Sequence, residues 1–147
     1  MRLRDLLPVA ALLSAALAAP LRSRAADTPA AGDTVLPRFT HALPNVPGMT
    51  LSAIEVDYPP GGGSHAHRHA PSAFIYAYVV EGHIRSQVDD QPPRVYGPGE
   101  GFFENPGAHH VISENASSSA PAKLLAIFVS KTGDTPLTVP DSGAPPE

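Results

Sequence analysis

Prolines and glycines divide this chain into short segments, and that punctuation constrains the fold more than any other feature. The 147 residues include 18 prolines and 12 glycines. Proline lacks the amide hydrogen that a helix interior needs, and both residue types interrupt regular structure. After residue 25 no segment sustains a helical periodicity over three turns. The chain therefore favours short strands.

The runs between these breaks have the alternating, β-branched and aromatic composition of strands. They recur about every 8–12 residues, a spacing typical of an all-β barrel or sandwich. The predicted strands are Leu36–His41, Met49–Tyr58, Phe74–Glu81, His83–Val88, Arg94–Tyr96, Gly101–Glu104, His109–Ser113 and Lys123–Val129. With 42% apolar residues the chain is long enough for one core and not for two. We predict a single all-β domain over residues 35–130.

Residues 1–25 have the features of a secretory signal peptide. A basic start is followed by a Leu- and Ala-rich run, and small residues precede a cleavage position near Ala25. A short buried or amphipathic helix is the alternative, but Pro8 and Pro20 argue against it. A membrane span would need about 20 uninterrupted apolar residues. We therefore expect a periplasmic or secreted protein, with no membrane association after processing.

The segments on either side of the domain are predicted to be flexible. Residues 26–34 form a linker of small and polar residues, and residues 131–147 form a tail rich in Pro, Gly and Asp. Residues 1–25 contain four arginines and Asp5, so their removal changes the formal net charge from −4 to −7. An acidic surface argues against nucleic acid as a partner. A small-molecule ligand or substrate is the expected partner.

Cysteine is absent from the chain, which excludes several kinds of chemistry. Thiol nucleophiles, CxxC redox sites and thiolate metal ligands all require it. An exported domain without disulfides also has to be stabilised by burial of its core. Histidine, by contrast, is abundant, with seven residues.

Five of the histidines form two clusters with the spacing of a metal site. His65, His67 and His69 alternate, so all three would point to one face of a strand. His65 and His69 would then lie about 13 Å apart, too far to share an ion with bonds of about 2.0–2.2 Å. Either 65/67 or 67/69 is the ligand pair. In the second cluster, neighbours His109 and His110 face opposite ways, so only one of them points inward.

Together these residues resemble the cupins, small β-barrels with two histidine motifs. The first motif has the pattern G-x5-H-x-H, then a glutamate and a glycine, and Gly61, His67-Arg68-His69 and Gly82 are similar to it. The second has the pattern G-x5-P-x-G-x2-H-x3-N. The segment from Gly99 to Asn115 resembles it, with Gly107 and His110 at the expected spacing and Asn105 in place of the proline. The resemblance covers about Met49 to Val129.

The resemblance implies a cupin-type antiparallel β-barrel, also called a double-stranded β-helix or jelly roll. It further implies that His67, His69 and His110 hold one divalent transition metal, which the ligand types leave open as Fe, Mn, Ni, Cu or Zn. His65 would then be exposed or would lie behind the ligands. A homodimer is also implied by the resemblance alone.

One residue of the pattern is missing from this chain. The cupin glutamate would fall between Ala73 and Ile75, where there is no acidic residue. Glu104, on the strand that leads into His110, could replace it. Glu104 could also orient an imidazole by accepting its other N–H, or could be a solvent-facing turn residue.

Four further residues lie on strands predicted to pass beside the site. Tyr76 and Tyr78 share one face of their strand and are predicted to be packing residues more than contacts to substrate. Arg85 and Gln87 share a face of the next strand, and they could bind an anion if that face is the inner one. The sequence does not decide which face is inner.

Three functions are compatible with the sequence. A site of three histidines resembles those of some cupin dioxygenases, which predicts an oxidoreductase acting on a small chelating substrate such as a diketone, an enol or a catechol-like compound. The alternative is a non-catalytic module that binds a small ligand or a metal. The third is a structural cupin without metal, in which the histidines are merely exposed.

Overall fold

The computed structural model describes residues 32–142, and all regular elements in that range are strands. The predicted signal peptide, linker residues 26–31 and the last five residues of the tail lie outside the described range. Among the described residues, no helix has the length and apolar character needed to span a membrane. The strands are β1 (Thr34–Ala42), β2 (Met49–Tyr58), β3 (Gly63–Ser64), β4 (His67–His69), β5 (Phe74–Glu81), β6 (Ile84–Val88), β7 (Arg94–Tyr96), β8 (Gly101–Glu104), β9 (His109–Asn115), β10 (Ala122–Lys131) and β11 (Thr138–Pro140).

These strands form two antiparallel sheets. One sheet has the order β1-β2-β10-β5-β8, and the other has the order β11-β4-β9-β6-β7, with β3 also paired to β9. The chain passes repeatedly from one sheet to the other, so that each sheet contains strands from distant parts of the sequence. The predicted all-β cupin-type barrel is confirmed.

Alternation along each strand separates an inner face from an outer face. In β5 the side chains of Ile75, Ala77 and Val79 are buried, whereas Phe74 and Tyr76 are exposed. The same alternation in β10 directs Leu124, Ala126 and Phe128 inward. The inner residues form two apolar clusters, one around Tyr58 and the other around Ile75, which lies in the strand next to β8. This inner face is the surface on which site residues have to lie.

Gly82 allows the turn between β5 and β6, and its replacement should destabilise the fold. Its φ is +68°, in the left-handed region. A Cβ at this position would lie 2.5 Å from the carbonyl oxygen of Pro121. Gly48 is a matched control, because its φ is +82° but nothing lies within 4 Å of an added Cβ.

We therefore expect Gly82→Ala to lower the free energy of unfolding by about 2 kcal/mol more than Gly48→Ala. The control includes only the cost of a left-handed alanine, on the order of 1 kcal/mol, whereas Gly82→Ala adds overpacking. Urea unfolding of the two variants measures the difference. Equal losses in both would show that the contact with residues 121–122 relaxes at no cost.

The predicted flexible tail is wrong for residues 138–140, which form β11. This strand pairs with β4, placing Thr138 opposite His69 and Pro140 opposite His67. Strand β4 has β9 on its other edge, so without β11 its outer edge would present unpaired amide and carbonyl groups. The composition of the tail indicates flexibility, but composition does not show this backbone pairing. Thr34, which the sequence places in the linker, likewise belongs to β1 and pairs with Asp57.

Candidate metal centre

Strands β4 and β9 bring the three predicted metal ligands together. His67 and His69 occupy alternate positions of β4, while Arg68 between them is exposed. His67 lies directly opposite His110 in the pairing of β4 with β9. One nitrogen from each of the three rings lies within 4.8 Å of the others. Three imidazoles arranged in this way form a group that could hold a divalent transition metal.

The other ring nitrogens of the β4 histidines are held by backbone oxygens. Nδ1 of His67 donates to the carbonyl oxygen of His65 at 2.7 Å. Nδ1 of His69 donates to the carbonyl oxygen of Leu137 at 3.3 Å, on the residue before β11. A hydrogen bond from one nitrogen fixes both the ring orientation and the tautomer, and it leaves Nε2 with the lone pair that binds metal.

His110 is fixed by a side chain of the neighbouring strand. Its Nε2 lies 2.9 Å from Oγ of Ser86, which is on the inner face of β6. Its ring is 3% exposed and packs edge-on against Phe102. The other nitrogen, Nδ1, therefore faces the interior of the group.

Glu104 also lies beside these histidines. The sequence left open whether it replaces the missing glutamate, orients an imidazole or faces solvent. The residue is 2% exposed and lies at the end of β8. Its Oε2 is 3.1 Å from Nε2 of His69 and 3.4 Å from Nδ1 of His110. The alternative of a solvent-facing turn acid is wrong, because the alternation of β8 directs this side chain inward.

Electrostatics favour the ionised form of Glu104 and the neutral form of His110. Burial raises the pKa of Glu104, but His69, His110 and His67 together outweigh that effect and lower it below its ordinary value. Burial lowers the pKa of His110 to about 4, against an opposing effect of Glu104. At neutral pH His110 is therefore uncharged, which is the form that coordinates a metal.

A cavity of about 120 Å³ lies beside these side chains, between the two sheets. His67, His69, His110 and Glu104 line one part of it. Aliphatic and aromatic side chains line much of the rest, among them Ile54, Val56, Ile75, Leu124 and Phe128. A ligand in this cavity would touch both the histidine group and these apolar side chains.

A polar network that the sequence did not predict lines the same cavity. The hydroxyl of Tyr58 lies 2.8 Å from Oγ of Ser113 and 3.2 Å from Oγ of Ser64, which in turn donates to Asp33. Burial raises the pKa of Tyr58 to about 12. The only sequence signal was the alternation of Tyr58 with Val56 in β2, which places both on one face.

The remaining predicted residues do not face the cavity. Arg85 lies on the outer face of β6 and pairs with Glu114 at 2.7 Å, and Gln87 shares that face. Tyr76 is on the outer face of β5. The condition under which Arg85 and Gln87 would bind an anion in the site, an inner face, is not met, because the inner positions of β6 belong to the alternate residues. Tyr78 is on the same outer face as Tyr76, so neither of the two tyrosines predicted to be packing residues more than substrate contacts faces the cavity.

The two histidines that were the alternatives to the predicted ligands, His65 and His109, lie outside the group. The side chain of His65 is exposed, although its carbonyl oxygen holds His67. His109 points away from His110, and its Nε2 lies 2.8 Å from Oδ2 of Asp141. Among the predicted alternatives, the group contains the pair 67/69 and His110.

Comparison with known proteins identifies the family. The sequence profile of the cupin domain matches residues 54–128, about half of the chain, and the protein belongs to the cupin family. No protein of curated function matches its sequence.

Solved structures agree on the fold. An RmlC-like cupin from Methanocaldococcus jannaschii with a double-stranded β-helix is 13% identical, with a TM-score of 0.54, and the match covers 71% of this chain and 85% of that one. DMSP lyase DddQ from Ruegeria pomeroyi is 24% identical, with a TM-score of 0.51 and coverage of 62% and 43%. Oxalate oxidase in complex with the substrate analogue glycolate is 24% identical, with a TM-score of 0.56 and coverage of 74% and 55%. The chain thus spans about half the length of these two enzymes.

Proposed function

We propose that the protein is a metal-dependent oxidoreductase of the dioxygenase type, acting on a small chelating substrate inside the barrel. The observation that supports this best is the convergence of three imidazoles whose other nitrogens are already held by protein oxygens. Such a group is organised for metal before metal arrives. A divalent transition ion, Fe²⁺ in the first instance, would supply Lewis acidity and a place for substrate and O2.

The protein's own contribution would be to hold and enclose the substrate. His67, His69 and His110 line the cavity together with apolar side chains, which would displace water from around a bound substrate. Removal of water strengthens the electrostatic interactions of a chelating anion with the site. The polar network of Tyr58, Ser64 and Ser113 offers hydroxyl groups to the part of the substrate that lies away from the histidines.

The cavity volume limits the size of the substrate. A cavity of about 150 Å³ accommodates benzene, and this one measures about 120 Å³. Substrates of about six non-hydrogen atoms or fewer are therefore favoured, which includes small enols, diketones and 2-hydroxy acids. A compound the size of glycolate fits this volume.

Oxygen uptake tests the proposal directly. We expect Fe²⁺-loaded protein to consume O2 with at least one member of a panel of small diketones, enols and 2-hydroxy acids, and the same protein without metal to consume none. His110→Ala is the matched negative variant, since it removes a ligand from the same preparation. Demonstrably bound metal without oxygen consumption for any compound would contradict a dioxygenase function.

A second candidate function is binding without chemistry. It is favoured by the absence of the cupin glutamate from the first histidine motif, where Ala73-Phe74-Ile75 contains no acidic residue. A binding module predicts that a small chelating anion raises the melting temperature of the metal-loaded protein without forming a product. Product formation, followed by mass spectrometry in the same samples, separates the two functions.

A further inference from the structure

We propose that Glu104 is a fourth protein ligand to the metal, donated by β8 in place of the glutamate missing between Ala73 and Ile75. The inference rests on the proposed metal site and adds to it a negatively charged ligand from a different strand. In the cupin pattern described above, that glutamate belongs to the first histidine motif. Here it would belong to the segment that leads into the second.

Strand pairing explains how a residue so distant in sequence reaches the same place. Glu104 lies directly opposite Ile75 in the pairing of β8 with β5. Residues directly opposite in an antiparallel pair point to the same side of the sheet. Ile75 points inward and is 0% exposed, so Glu104 also points inward, one strand away from the position of the missing glutamate.

The contact between Glu104 and His69 needs either a proton on Nε2 or a metal ion between the two atoms. Nδ1 of His69 lies 3.3 Å both from the carbonyl oxygen of Leu137 and from Oγ1 of Thr138, and donation to the carbonyl leaves Nε2 of the neutral ring as an acceptor. That Nε2 faces Oε2 of Glu104 at 3.1 Å, and within the described range neither buried atom has a hydrogen-bond partner. Two lone pairs at this distance repel each other, and buried polar groups without partners are rare. A metal ion bound to both would remove the repulsion and satisfy both atoms.

The two distances from Glu104 to the histidines agree with those between adjacent ligand atoms on one ion. For bonds of about 2.1 Å, two adjacent ligand atoms lie about 3.0 Å apart in octahedral geometry and about 3.4 Å apart in tetrahedral geometry. Oε2 of Glu104 is 3.1 Å from Nε2 of His69 and 3.4 Å from Nδ1 of His110. Both values fall in that range.

The charge of a divalent ion also favours a carboxylate ligand. Three neutral imidazoles leave the full charge of a divalent ion uncompensated in a site where His69, His110 and Glu104 are almost fully buried. A buried charge is costly unless an opposite charge accompanies it. Glu104 would halve the net charge, and in a six-coordinate ion four protein ligands would leave two positions for a small chelating ligand.

The test compares Glu104→Gln with Glu114→Gln in the full chain. Both variants replace a carboxylate by an amide of the same shape, but Glu114 pairs with Arg85 on the outside of the barrel. Competition with a chromophoric chelator gives the affinity for Co²⁺, and the visible spectrum of bound Co²⁺ reports its ligands. We expect the affinity for Co²⁺ to fall about 100-fold or more in Glu104→Gln, because loss of a residue that only hydrogen-bonds a ligand already costs about 10–100-fold. The visible spectrum of bound Co²⁺ should change as well. Glu114→Gln should match the wild type in both.

A crystal structure of the Co²⁺-loaded wild type makes the test independent of how the variants fold. A distance of about 2.0–2.2 Å from the ion to Oε2 of Glu104 is expected, and a distance above about 3 Å would overturn the inference. If the wild type binds metal through the three histidines but Glu104→Gln keeps its affinity and spectrum, only the role of Glu104 is wrong. If the wild type binds no metal, the proposed function is wrong as well.

Discussion

Alanine at His67, His69 or His110 should remove nearly all metal from the purified protein. Each substitution deletes one of three imidazoles that lie within 4.8 Å of one another, and two imidazoles hold an ion far less tightly than three. We expect near-stoichiometric metal in the wild type and affinity at least about 100-fold lower in each variant, since loss of even indirect partners costs about 10–100-fold. Elemental mass spectrometry of protein prepared without chelator or histidine tag measures the content and identifies the metal.

The chain provides matched controls for this experiment. His65→Ala and His109→Ala remove histidines two residues or one residue from the proposed ligands, but both rings lie outside the group. Replacing the side chain of His65 keeps the carbonyl oxygen that holds His67. Both controls should retain metal. Equal loss in controls and ligand variants would indicate nonspecific binding by clustered histidines, and metal retained in all of them would place the site elsewhere.

Strands with clear alternation could be predicted from the sequence with their bounds. Met49–Tyr58, Phe74–Glu81, Arg94–Tyr96 and Gly101–Glu104 were predicted with the bounds that the structure shows. Their limits are set by nearby glycines and prolines, so local information was sufficient. The family profile over residues 54–128 agrees with the motifs on which the cupin resemblance was based.

Strand β11 could not be predicted because its stability depends on a distant partner. Only three residues long, it pairs with β4 almost 70 residues earlier in the chain. Its segment contains prolines and glycines, which favour loops, and has no alternation that distinguishes a strand. The contribution of Leu137 to holding His69 follows from this pairing and was equally inaccessible.

In the site, too, the residues fixed by local spacing could be predicted, whereas those fixed by pairing with a distant strand could not. The ligand histidines were identified from spacing within each motif. The orientation of Arg85 and Gln87 was not, because the inner face of β6 is determined by its pairing with β9. The inner residue is Ser86, which holds His110. Glu104 was a candidate from its position in the sequence, but only its register opposite Ile75 places it beside the histidines.

Acid should destabilise the metal-free protein between about pH 6.5 and pH 4. Burial lowers the pKa of His110 from 6.5 to about 4 in the folded state, while an unfolded chain keeps the ordinary value. Below pH 6.5 the unfolded state therefore binds a proton that the folded state does not, so the free energy of unfolding falls as the pH falls. The difference in pKa corresponds to roughly 3 kcal/mol, reached as the pH approaches 4.

Glu104 extends the loss of stability to lower pH and does not offset the loss caused by His110. Its pKa is lowered in the folded state, so its contribution to stability is present above its ordinary value of 4.5 and is lost below it. The two groups thus act in sequence, His110 first and Glu104 at lower pH. Urea unfolding in the presence of a chelator, at several values between pH 7 and pH 4, measures the first part of this dependence.

His110→Asn separates the titration of this ring from general acid destabilisation. Asparagine keeps a polar side chain opposite Ser86 but does not titrate, so the variant should start from a lower stability at pH 7 and lose most of the pH dependence. His109→Asn alters the adjacent ring, which lies outside the group beside Asp141, and should keep the slope attributed to His110. A wild-type stability that stays constant from pH 6.5 to pH 4 would show that His110 is accessible to protons in the folded protein. In that case burial could not be what keeps its imidazole neutral and ready for metal.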